Sequence, residues 1–535
     1  MSAVDVGAAM GKVGLPAPIP EIAGREWDAI VVGGGHNGLT AAAYLARAGQ
    51  SVLVLERRDQ LGGACTLERP FADERYVISP CAYVVGLLDP VVIDELELGR
   101  HGYRVTPADP NLWCPFPDGT SFGEFLDEAR TAAHMRENGF SEADIRGLAA
   151  YEGAFDRIRT LLRHGPKGDA WIGPSPSREE IEERLEGDPE LISIVFEEPI
   201  ADTIARYVSD ERLHHALFGQ GVIGVNAGPR TPGTAAVKLM HHQGDLLGLG
   251  SVWGYVTGGM GRISFAIAQA AIEAGAQLAA GVPVAAIEPG VGVTLESGET
   301  IRARTIVSNA DPKRTLAMLA SADVPGEFRD RLERWDVRSP VVKLNAALER
   351  LPTFTAAGGV EPHRAMVTVS GGLEAGQDAF EACQRGEPRI GFCELYFQTA
   401  YDDTVAPPGH HVLSAFCQYA PYELEGGWDA RRDEVAGLVL DAIAAYAPDV
   451  RDCVTDYQLL GPPDIEEQIG LTGGNIFQGS ALPAQMWENR LDARTPADGL
   501  YLCGAATHPG GSVIALNGRN AAMAVLEDVR VGVPA

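Results

Sequence analysis

A chain of 535 residues, of which 45% are hydrophobic, is longer than one hydrophobic core usually supports, so its length predicts two domains. The formal net charge is -30, from 43 basic and 73 acidic residues. Such a surface disfavours binding to nucleic acid, which needs a basic footprint, and disfavours electrostatic docking on anionic lipid. We therefore expect no nucleic-acid partner and at most a peripheral contact with a membrane.

The eight cysteines form no Cys-x-x-Cys pair, and several lie in apolar runs, which indicates reduced, buried thiols of a cytoplasmic protein. Residues 1–26 lack the basic start and the continuous apolar run of a secretory signal, so we expect a flexible tail. The chain also has no apolar run of about eighteen residues, which predicts that it does not span a membrane.

The most informative motif lies close to the start of the chain. An apolar strand, a glycine-rich turn, a helix, a second apolar strand and an acid follow in order: 27–32, Gly33-x-Gly35-x-x-Gly38, 39–48, 51–55 and Glu56. Gly33 allows a tight turn, Gly35 lets a pyrophosphate approach the backbone, and Gly38 lets the helix pack closely on the strand. The helix N-terminus offers N–H groups to phosphates, and a ribose diol can donate to Glu56. Together these parts predict a βαβ dinucleotide-binding unit.

A second glycine pair, Gly62-Gly63, follows Glu56 by six residues. A simple nicotinamide dehydrogenase needs no such pair near the phosphates. The spacing resembles the Glu-x-x-x-x-x-Gly-Gly motif of large FAD flavoproteins, in which the extra loop surrounds the pyrophosphate. We therefore expect FAD, bound non-covalently, as the cofactor.

The rest of the chain falls into segments of distinct pattern. A turn-rich stretch leads into a long helical region, then come an amphipathic helix and two short strands: 107–118, 122–219, 263–275, 284–287 and 291–295. Strand-like runs between 341 and 419 predict an antiparallel sheet in a substrate-side domain. A helix, a buried strand and a closing helix complete the chain: 433–447, 499–504 and 518–530.

Four blocks resemble the phytoene desaturase and carotenoid isomerase group of FAD-dependent oxidoreductases, in particular the branch of pyridine nucleotide-disulfide oxidoreductase domain-containing protein 2. The blocks are 31–39, 258–261, 471–477 and 500–511. The similar region runs from residue 27 to about residue 528, so it covers nearly the whole chain.

The resemblance implies an α/β fold with two interleaved domains. A Rossmann-type FAD-binding domain of the glutathione-reductase-like class would alternate with an α+β substrate domain that contains the antiparallel sheet and a helical insert. The FAD-binding domain would comprise 27–90, 255–315 and 460–535, and the substrate domain 91–254 and 316–459. Residues 1–26 would remain outside both.

The resemblance also implies a set of cofactor-binding residues. They are Gly33, Gly35, His36, Asn37, Gly38, Glu56, Arg57, Gly62, Gly63, Ala64, Val284, Asn309, Gly504, Ser512, Val513 and Ile514. The backbone at Val284 would meet the adenine, and the closing helix would point its N-terminus at the flavin. A helix N-terminus in that place would stabilise the negative charge of reduced flavin.

The expected active site departs from the family pattern at one position. Where the group has Gly-Asn-Ile-x-His-Gly, residues 474–479 place Gln478, an amide that cannot shuttle protons as an imidazole can. His508 is the candidate catalytic residue, as a base or proton donor beside the flavin, and the alternative is that it caps backbone groups in a turn. Substrate would meet the flavin between residues 507–509 and 473–475.

We expect an FAD-dependent oxidoreductase that removes, adds or relocates hydride on an extended apolar substrate such as a polyene, isoprenoid or lipid. The alternatives are amine oxidation and a flavin-binding interaction protein with little catalytic activity. One Gly-x-Gly-x-x-Gly stands in a strand–helix context, so no separate nicotinamide domain is expected and the electron acceptor would be oxygen or a quinone. The sequence leaves the oligomeric state open.

Two groups of side chains have competing interpretations. His241 and His242 are adjacent and therefore point to different sides of a helix, without a carboxylate at ligand spacing, so we expect no metal site. Four aromatic residues could line a substrate channel, although core packing explains them at least as well: Trp253, Tyr255, Tyr396 and Trp487.

Overall fold

The computed structural model describes residues 4–319, 324–356 and 358–531. The strands are β1 (Glu26–Val32), β2 (Val52–Glu56), β3 (Val105–Pro107), β4 (Leu112–Pro115), β5 (Ser121–Glu124), β6 (Gly254–Val256), β7 (Gln277–Ala280), β8 (Val284–Glu288), β9 (Gly292–Leu295), β10 (Thr300–Ser308), β11 (Val341–Leu348), β12 (Met366–Ser370), β13 (Phe392–Tyr396), β14 (His411–Gln418), β15 (Val454–Leu460) and β16 (Leu500–Leu502).

Helices cover the sheets and build an insert between β5 and β6. They are α1 (Ile19–Ala23), α2 (His36–Arg47), α3 (Pro90–Glu95), α4 (Glu128–Glu137), α5 (Glu142–Arg163), α6 (Arg178–Arg184), α7 (Pro189–Phe196), α8 (Ile200–Tyr207), α9 (Glu211–Leu217), α10 (Ala235–His241), α11 (Gly261–Glu273), α12 (Pro312–Met318), α13 (Gly326–Arg334), α14 (Leu373–Gln384), α15 (Trp428–Ala444), α16 (Val450–Cys453), α17 (Pro462–Ile469) and α18 (Leu516–Val531).

The first large sheet has the strand order β7-β2-β1-β10-β9-β8, and β16 pairs with the carboxyl-terminal half of β10. Strands β7, β2, β1, β10 and β16 run parallel, whereas β9 pairs antiparallel with β10, and β8 pairs antiparallel with β9. Helix α2 connects β1 to β2 and packs against α11 and α18. Because these strands are parallel, their carboxyl ends meet at one edge, where ligands bind in doubly wound sheets.

The second large sheet has the order β15-β11-β14-β13-β12-β4-β5. Its pairs are antiparallel except for β12 and β4, which run parallel. Every residue of β11 and β13 is buried, since α14 and α15 cover one part of the sheet and the other face points inward. The sheet predicted between 341 and 419 therefore extends further, to β4, β5 and β15.

Two local predictions are wrong. The turn-rich stretch 107–118 contains the short strand β4, but the helical region predicted from residue 122 begins only after β5 (Ser121–Glu124). Residues 4–26 are packed against the first sheet and are not a loose tail: Val6 and Ile22 are buried, and the carbonyl of Gly11 accepts a hydrogen bond from the Leu61 N–H. The small apolar residues between the glycines of this segment show neither helical nor strand periodicity, so the sequence did not indicate this packing.

The domain boundaries also differ from the proposed segments where side chains pack across them. Leu319 and residues 324–335, assigned to the substrate domain, pack in the core beneath the first sheet, where Phe328 and Leu332 are buried. Residues 460–487, assigned to the FAD-binding domain, instead join the core of the helical insert through Ile465 and Trp487. Long-range packing of this kind leaves no local mark in a sequence.

None of the helices in the described ranges combines the length and the apolar character that crossing a bilayer requires. All eight cysteines are buried and free, as their apolar surroundings in the sequence indicated.

Candidate functional site

A cavity of about 410 Å³ lies where the carboxyl edge of the first sheet faces the second sheet. The turns after β1 and β10 and the last residue of β2 form its nucleotide side. Strands β11, β13 and β14 contribute Lys343, Glu394 and Phe416 to the opposite wall, and α10 contributes Lys238 and His241. The cavity thus joins residues that are hundreds of positions apart in the chain.

The glycine-rich turn leaves backbone open where a pyrophosphate would lie. Gly33 has a φ of 104°, and a Cβ on Gly35 would stand 2.8 Å from Asn309 Nδ2. The second glycine pair closes over the same turn, because the Gly62 N–H donates to the Gly34 carbonyl at 2.8 Å. The buried Asn37 Oδ1 has no hydrogen-bond partner among the described residues. These features fit the diphosphate of a dinucleotide on the N-terminus of α2.

Glu56 holds the turn as well as facing the cavity. Its Oε2 accepts a hydrogen bond from the Gly34 N–H at 2.7 Å, and its Oε1 accepts one from the Arg58 N–H at 2.8 Å. A carboxylate has lone pairs left after two such bonds, so the ribose contact predicted from the sequence remains compatible with this geometry.

Most of the predicted cofactor-binding residues line the cavity. They are Gly33, Gly35, His36, Asn37, Glu56, Arg57, Gly62, Gly63, Ala64, Val284, Asn309, Ser512 and Val513. Burial lowers the pKa of His36 to about 4, so its ring is neutral at the phosphate turn.

Three predicted binding residues lie behind the cavity wall and serve packing. A Cβ on Gly38 would stand 2.2 Å from the Gly33 carbonyl oxygen, so Gly38 permits the helix to approach the strand. A Cβ on Gly504 would stand 2.3 Å from Gln478 Oε1. Ile514 is fully buried, and its carbonyl accepts a hydrogen bond from the Asp89 N–H.

His508, the candidate catalytic residue, does not line the cavity. Its Nε2 lies 2.8 Å from the carbonyl oxygen of Ala170 and donates to it, which leaves Nδ1 as a buried acceptor without a described partner. Burial lowers the pKa of His508 to about 4. The alternative weighed from the sequence, a hydrogen bond to backbone, describes this position better than a base beside the flavin.

Gln478 occupies the cavity wall where the family motif has histidine. Its Nε2 donates to the Asn309 carbonyl at 3.3 Å, and its Oε1 accepts from the Ala506 N–H at 3.3 Å. The amide therefore ties the turn after β10 to the turn after β16. The wall here consists of residues 476–478 with Ala505, rather than residues 473–475 and 507–509 as predicted.

The second sheet brings two buried ionisable groups to the cavity. Burial raises the pKa of Glu394 to about 7 and lowers the pKa of Lys343 to about 7. Lys343 Nζ donates to Asn345 Oδ1 at 2.9 Å and lies 4.9 Å from the centre of the Tyr83 ring. Tyr83 in turn packs against Tyr396 with ring centres 4.5 Å apart. Sequence reasoning missed Lys343 and Glu394, which stand in apolar strands as single charges, and that is the signal that could have found them.

Of the four aromatic residues with competing interpretations, Trp253 and Tyr396 line the cavity. Tyr255 borders a separate space of about 20 Å³, and Trp487 is buried in the core of the insert. His241 and His242 both face the cavity although they are adjacent, because His242 lies just past the end of α10.

The fold and this cavity define a class, the flavin-dependent oxidoreductases with a Rossmann-type domain facing a second sheet. The sequence pattern of the NAD(P)-binding Rossmann-like domain matches residues 31–84, and that of the flavin containing amine oxidoreductases matches residues 115–526. The chain therefore belongs to the flavin containing amine oxidoreductase family.

Individual proteins support this assignment. Pyridine nucleotide-disulfide oxidoreductase domain-containing protein 2 of Mus musculus is 35% identical, with 94% of either chain covered. A limonene dehydrogenase subunit of Castellaniella defragrans is 26% identical over 95% of this chain and 96% of its own. Carotenoid 3,4-desaturase of Haloarcula japonica is also 26% identical, over 94% and 98%.

Among solved structures, cyclohexylamine oxidase from Brevibacterium oxydans covers 95% of this chain and 100% of its own at a TM-score of 0.59 and 17% identity. This likeness shows a shared fold. The predicted α/β fold, the family resemblance and the oxidoreductase class are thus confirmed.

Proposed function

We propose that the protein binds FAD non-covalently and transfers hydride to or from an extended apolar substrate, such as a polyene, an isoprenoid or a lipid. One observation carries this proposal: the cavity that begins at the phosphate turn continues along a wall of apolar and aromatic side chains. That wall includes Tyr83, Val84, Leu112, Ile223, Trp253, Val341, Met366, Phe416, Ile476 and Phe477. A long apolar molecule would gain free energy from burial against such a surface.

FAD, when bound, supplies a ring system that can accept or return a hydride. The residues of this chain would supply a dry pocket and a defined approach, which hydride transfer at carbon needs more than a strong base. Glu394 and Lys343 could each hold or release one proton near neutral pH, the first at its carboxyl oxygen and the second at Nζ.

The relatives' names agree with this substrate class. One is a dehydrogenase named for limonene and another a desaturase named for carotenoids, and both cover nearly all of this chain. We propose for this chain a substrate of the same apolar kind, oxygen or a quinone as electron acceptor, and a cytoplasmic location.

Amine oxidation is the second candidate, because the structure supplies an aromatic pair that the terminal motif lacks. Residues 503–513 contain no aromatic side chain, so the terminal motif itself supplies none to enclose an amine. Tyr83 and Tyr396 nevertheless reach the cavity from other segments, at an interplanar angle of 35°. An aromatic pair of this kind can enclose an amine beside a flavin.

The deciding experiment is anaerobic reduction of the purified flavoprotein. We expect bound FAD to bleach with a polyene or isoprenoid and to reoxidise with oxygen or a soluble quinone. Bleaching by benzylamine alone would favour the second candidate, and rapid stoichiometric bleaching by NADH would refute the absence of a nicotinamide site. If neither class of substrate changes the flavin, the interaction-protein alternative gains support.

A further inference from the structure

The end of β5 and the helical insert contribute a group of polar side chains to the cavity wall. We name this group the insert end of the cavity. Its members are Glu124, Glu152, Gln220, Lys238, His241 and His242. The hydride chemistry proposed above uses none of them, so their presence on the wall requires another reason.

Several of these groups are already paired within the protein. Lys238 Nζ lies 3.3 Å from Glu152 Oε2, and His242 Nε2 lies 3.0 Å from Asp156 Oδ1. Asp156 also accepts a hydrogen bond from Arg159 at 3.0 Å. These pairs satisfy one another, because buried charges are stable when each has an opposite charge within reach.

Several acceptors are left over, among them the buried His242 Nδ1, which has no hydrogen-bond partner among the described residues. The Glu124 carboxyl has no hydrogen bond or ion pair among the described residues and stays accessible on the cavity wall. His241 is only 9% exposed, and its Nδ1 donates to the Val237 carbonyl at 2.8 Å. Since Nδ1 carries the proton, Nε2 is an acceptor, and it too has no partner within the described ranges.

At neutral pH Glu124 is divided between a protonated form, which can donate, and an ionised form, which only accepts, and a bound donor would favour the ionised form. Burial raises the pKa of Glu124 to about 7, with the Glu152 charge acting in the same direction. Burial lowers the pKa of His241 to about 4, so its ring is neutral. A ligand carboxylate would face Glu124 and Glu152, and Lys238, the cation of the insert end, is already paired with Glu152. Such a ligand would be repelled, whereas a donor would satisfy the free acceptors.

We propose that the insert end binds a hydrogen-bond-donating head group of the substrate, a hydroxyl or a protonated amine, that Glu124 determines this preference, and that carboxylates are rejected. The inference rests on the proposed function, because it assumes that the apolar body of the same molecule lies along the cavity wall. It narrows the substrate class to apolar alcohols and amines.

Calorimetric titration of the full-length, FAD-loaded protein tests the preference. Decanol, decylamine and decanoate share one apolar chain and differ in the head group. We expect decanol or decylamine to bind at least about tenfold more tightly than decanoate, a difference of about 1.4 kcal/mol. Equal affinity for all three ligands overturns the proposal.

Two substitutions at one position assign the head group. Glu124→Leu should abolish the preference, and an unchanged preference in this variant overturns the role of Glu124. Glu124→Gln keeps the shape and an acceptor carbonyl but loses the charge. A preference for decylamine that Glu124→Gln loses identifies an ammonium head group, whereas a preference for decanol that this variant keeps identifies a hydroxyl, and either result supports the proposal. Glu128→Gln, an exposed carboxylate at the start of α4, is the matched control and should change nothing.

The outcomes separate this inference from the proposed function, because ligand binding does not require turnover. A head-group preference in a protein whose flavin no apolar compound reduces would refute the function and leave the binding site intact. If apolar compounds reduce the flavin but bind without a head-group preference, the proposed function stands and the head-group inference is refuted. Circular dichroism and retained FAD verify that each variant is folded.

Discussion

The hydroxyl of Tyr396 donates a hydrogen bond to Glu394 Oε2 at 2.8 Å. The two residues are two positions apart on β13, so their side chains share one face of the strand, and both line the cavity. This bond gives the carboxyl one partner but no opposite charge, so burial still dominates and holds the pKa of Glu394 at about 7.

The raised pKa of Glu394 predicts a stability that falls as pH rises. In the unfolded chain a glutamate ionises near pH 4.3, whereas in the folded protein it stays protonated until about pH 7. Between these values the folded state binds more protons, so the free energy of unfolding decreases with pH. Glu394→Gln should remove this decrease, on the order of 3 kcal/mol between pH 4 and pH 8. Urea titrations at both pH values measure it, with exposed Glu26→Gln as the control. Identical pH profiles for the wild type and Glu394→Gln would contradict the expectation.

Lys343 predicts the opposite slope. Its pKa is lowered from an unfolded value near 10.4 to about 7, so above pH 7 the folded state has lost a proton that the unfolded state keeps. The unfolded chain then binds more protons, and the free energy of unfolding rises from about pH 7 to about pH 10. Lys343→Met should flatten that rise in the same titrations. A rise that persists in this variant would assign the effect to other groups.

The sequence located the glycine-rich turn on one side of the cavity and gave no indication of the wall opposite it. Gly33, Glu56 and Gly62 lie within one short segment whose order of strand, turn and helix is itself the signal. Lys343 and Glu394 belong to different strands, and their alignment on either side of Phe416 depends on the register of the second sheet. Register is a long-range property that no local pattern encodes.

Arg490 makes contacts between loops that the sequence likewise did not predict. Its guanidinium is 1% exposed and donates to the carbonyls of Phe477, Ser480 and Gln485, and to that of Ala505. It therefore joins the two turns that form the cavity wall beside Gln478. In the sequence it is a single arginine in an irregular stretch.

Arg490→Met should consequently destabilise the protein and loosen this wall. The substitution leaves several buried carbonyls without donors, at about 1–3 kcal/mol for each unsatisfied group. Urea unfolding gives the stability, and the FAD retained after gel filtration reports on the wall. Arg494→Met is the matched control, because Arg494 is 43% exposed and pairs with Asp528 at the surface, an interaction worth about 1 kcal/mol or less. Equal losses for both variants would argue against a special role of Arg490.

Glu56→Ala should weaken the retention of FAD for two reasons. It removes the acceptor that faces a ribose, and it frees the N–H groups of Gly34 and Arg58 that shape the phosphate turn. A loss of a hydrogen bond to a charged group costs about 1.5–3 kcal/mol, which corresponds to more than tenfold in affinity. Equilibrium dialysis of FAD measures the change. Asp59→Ala, at an exposed carboxylate nearby, should retain wild-type affinity, and unchanged affinity in Glu56→Ala would contradict both reasons.

His508→Ala should reduce stability while leaving the reductive reaction nearly intact. The imidazole is buried, neutral at working pH and bonded to the Ala170 carbonyl, and it does not line the cavity. Removing it leaves that carbonyl unpaired, at about 1–3 kcal/mol of unfolding free energy. His508→Asn, which can still donate to the carbonyl, should recover part of the loss.

A positioned acid or base contributes roughly 10²–10⁴-fold to a rate. Stopped-flow reduction of the flavin therefore distinguishes the two roles: a rate within about tenfold of wild type fits a structural histidine, whereas a loss of about a hundredfold or more with FAD and fold retained would make His508 a catalytic residue.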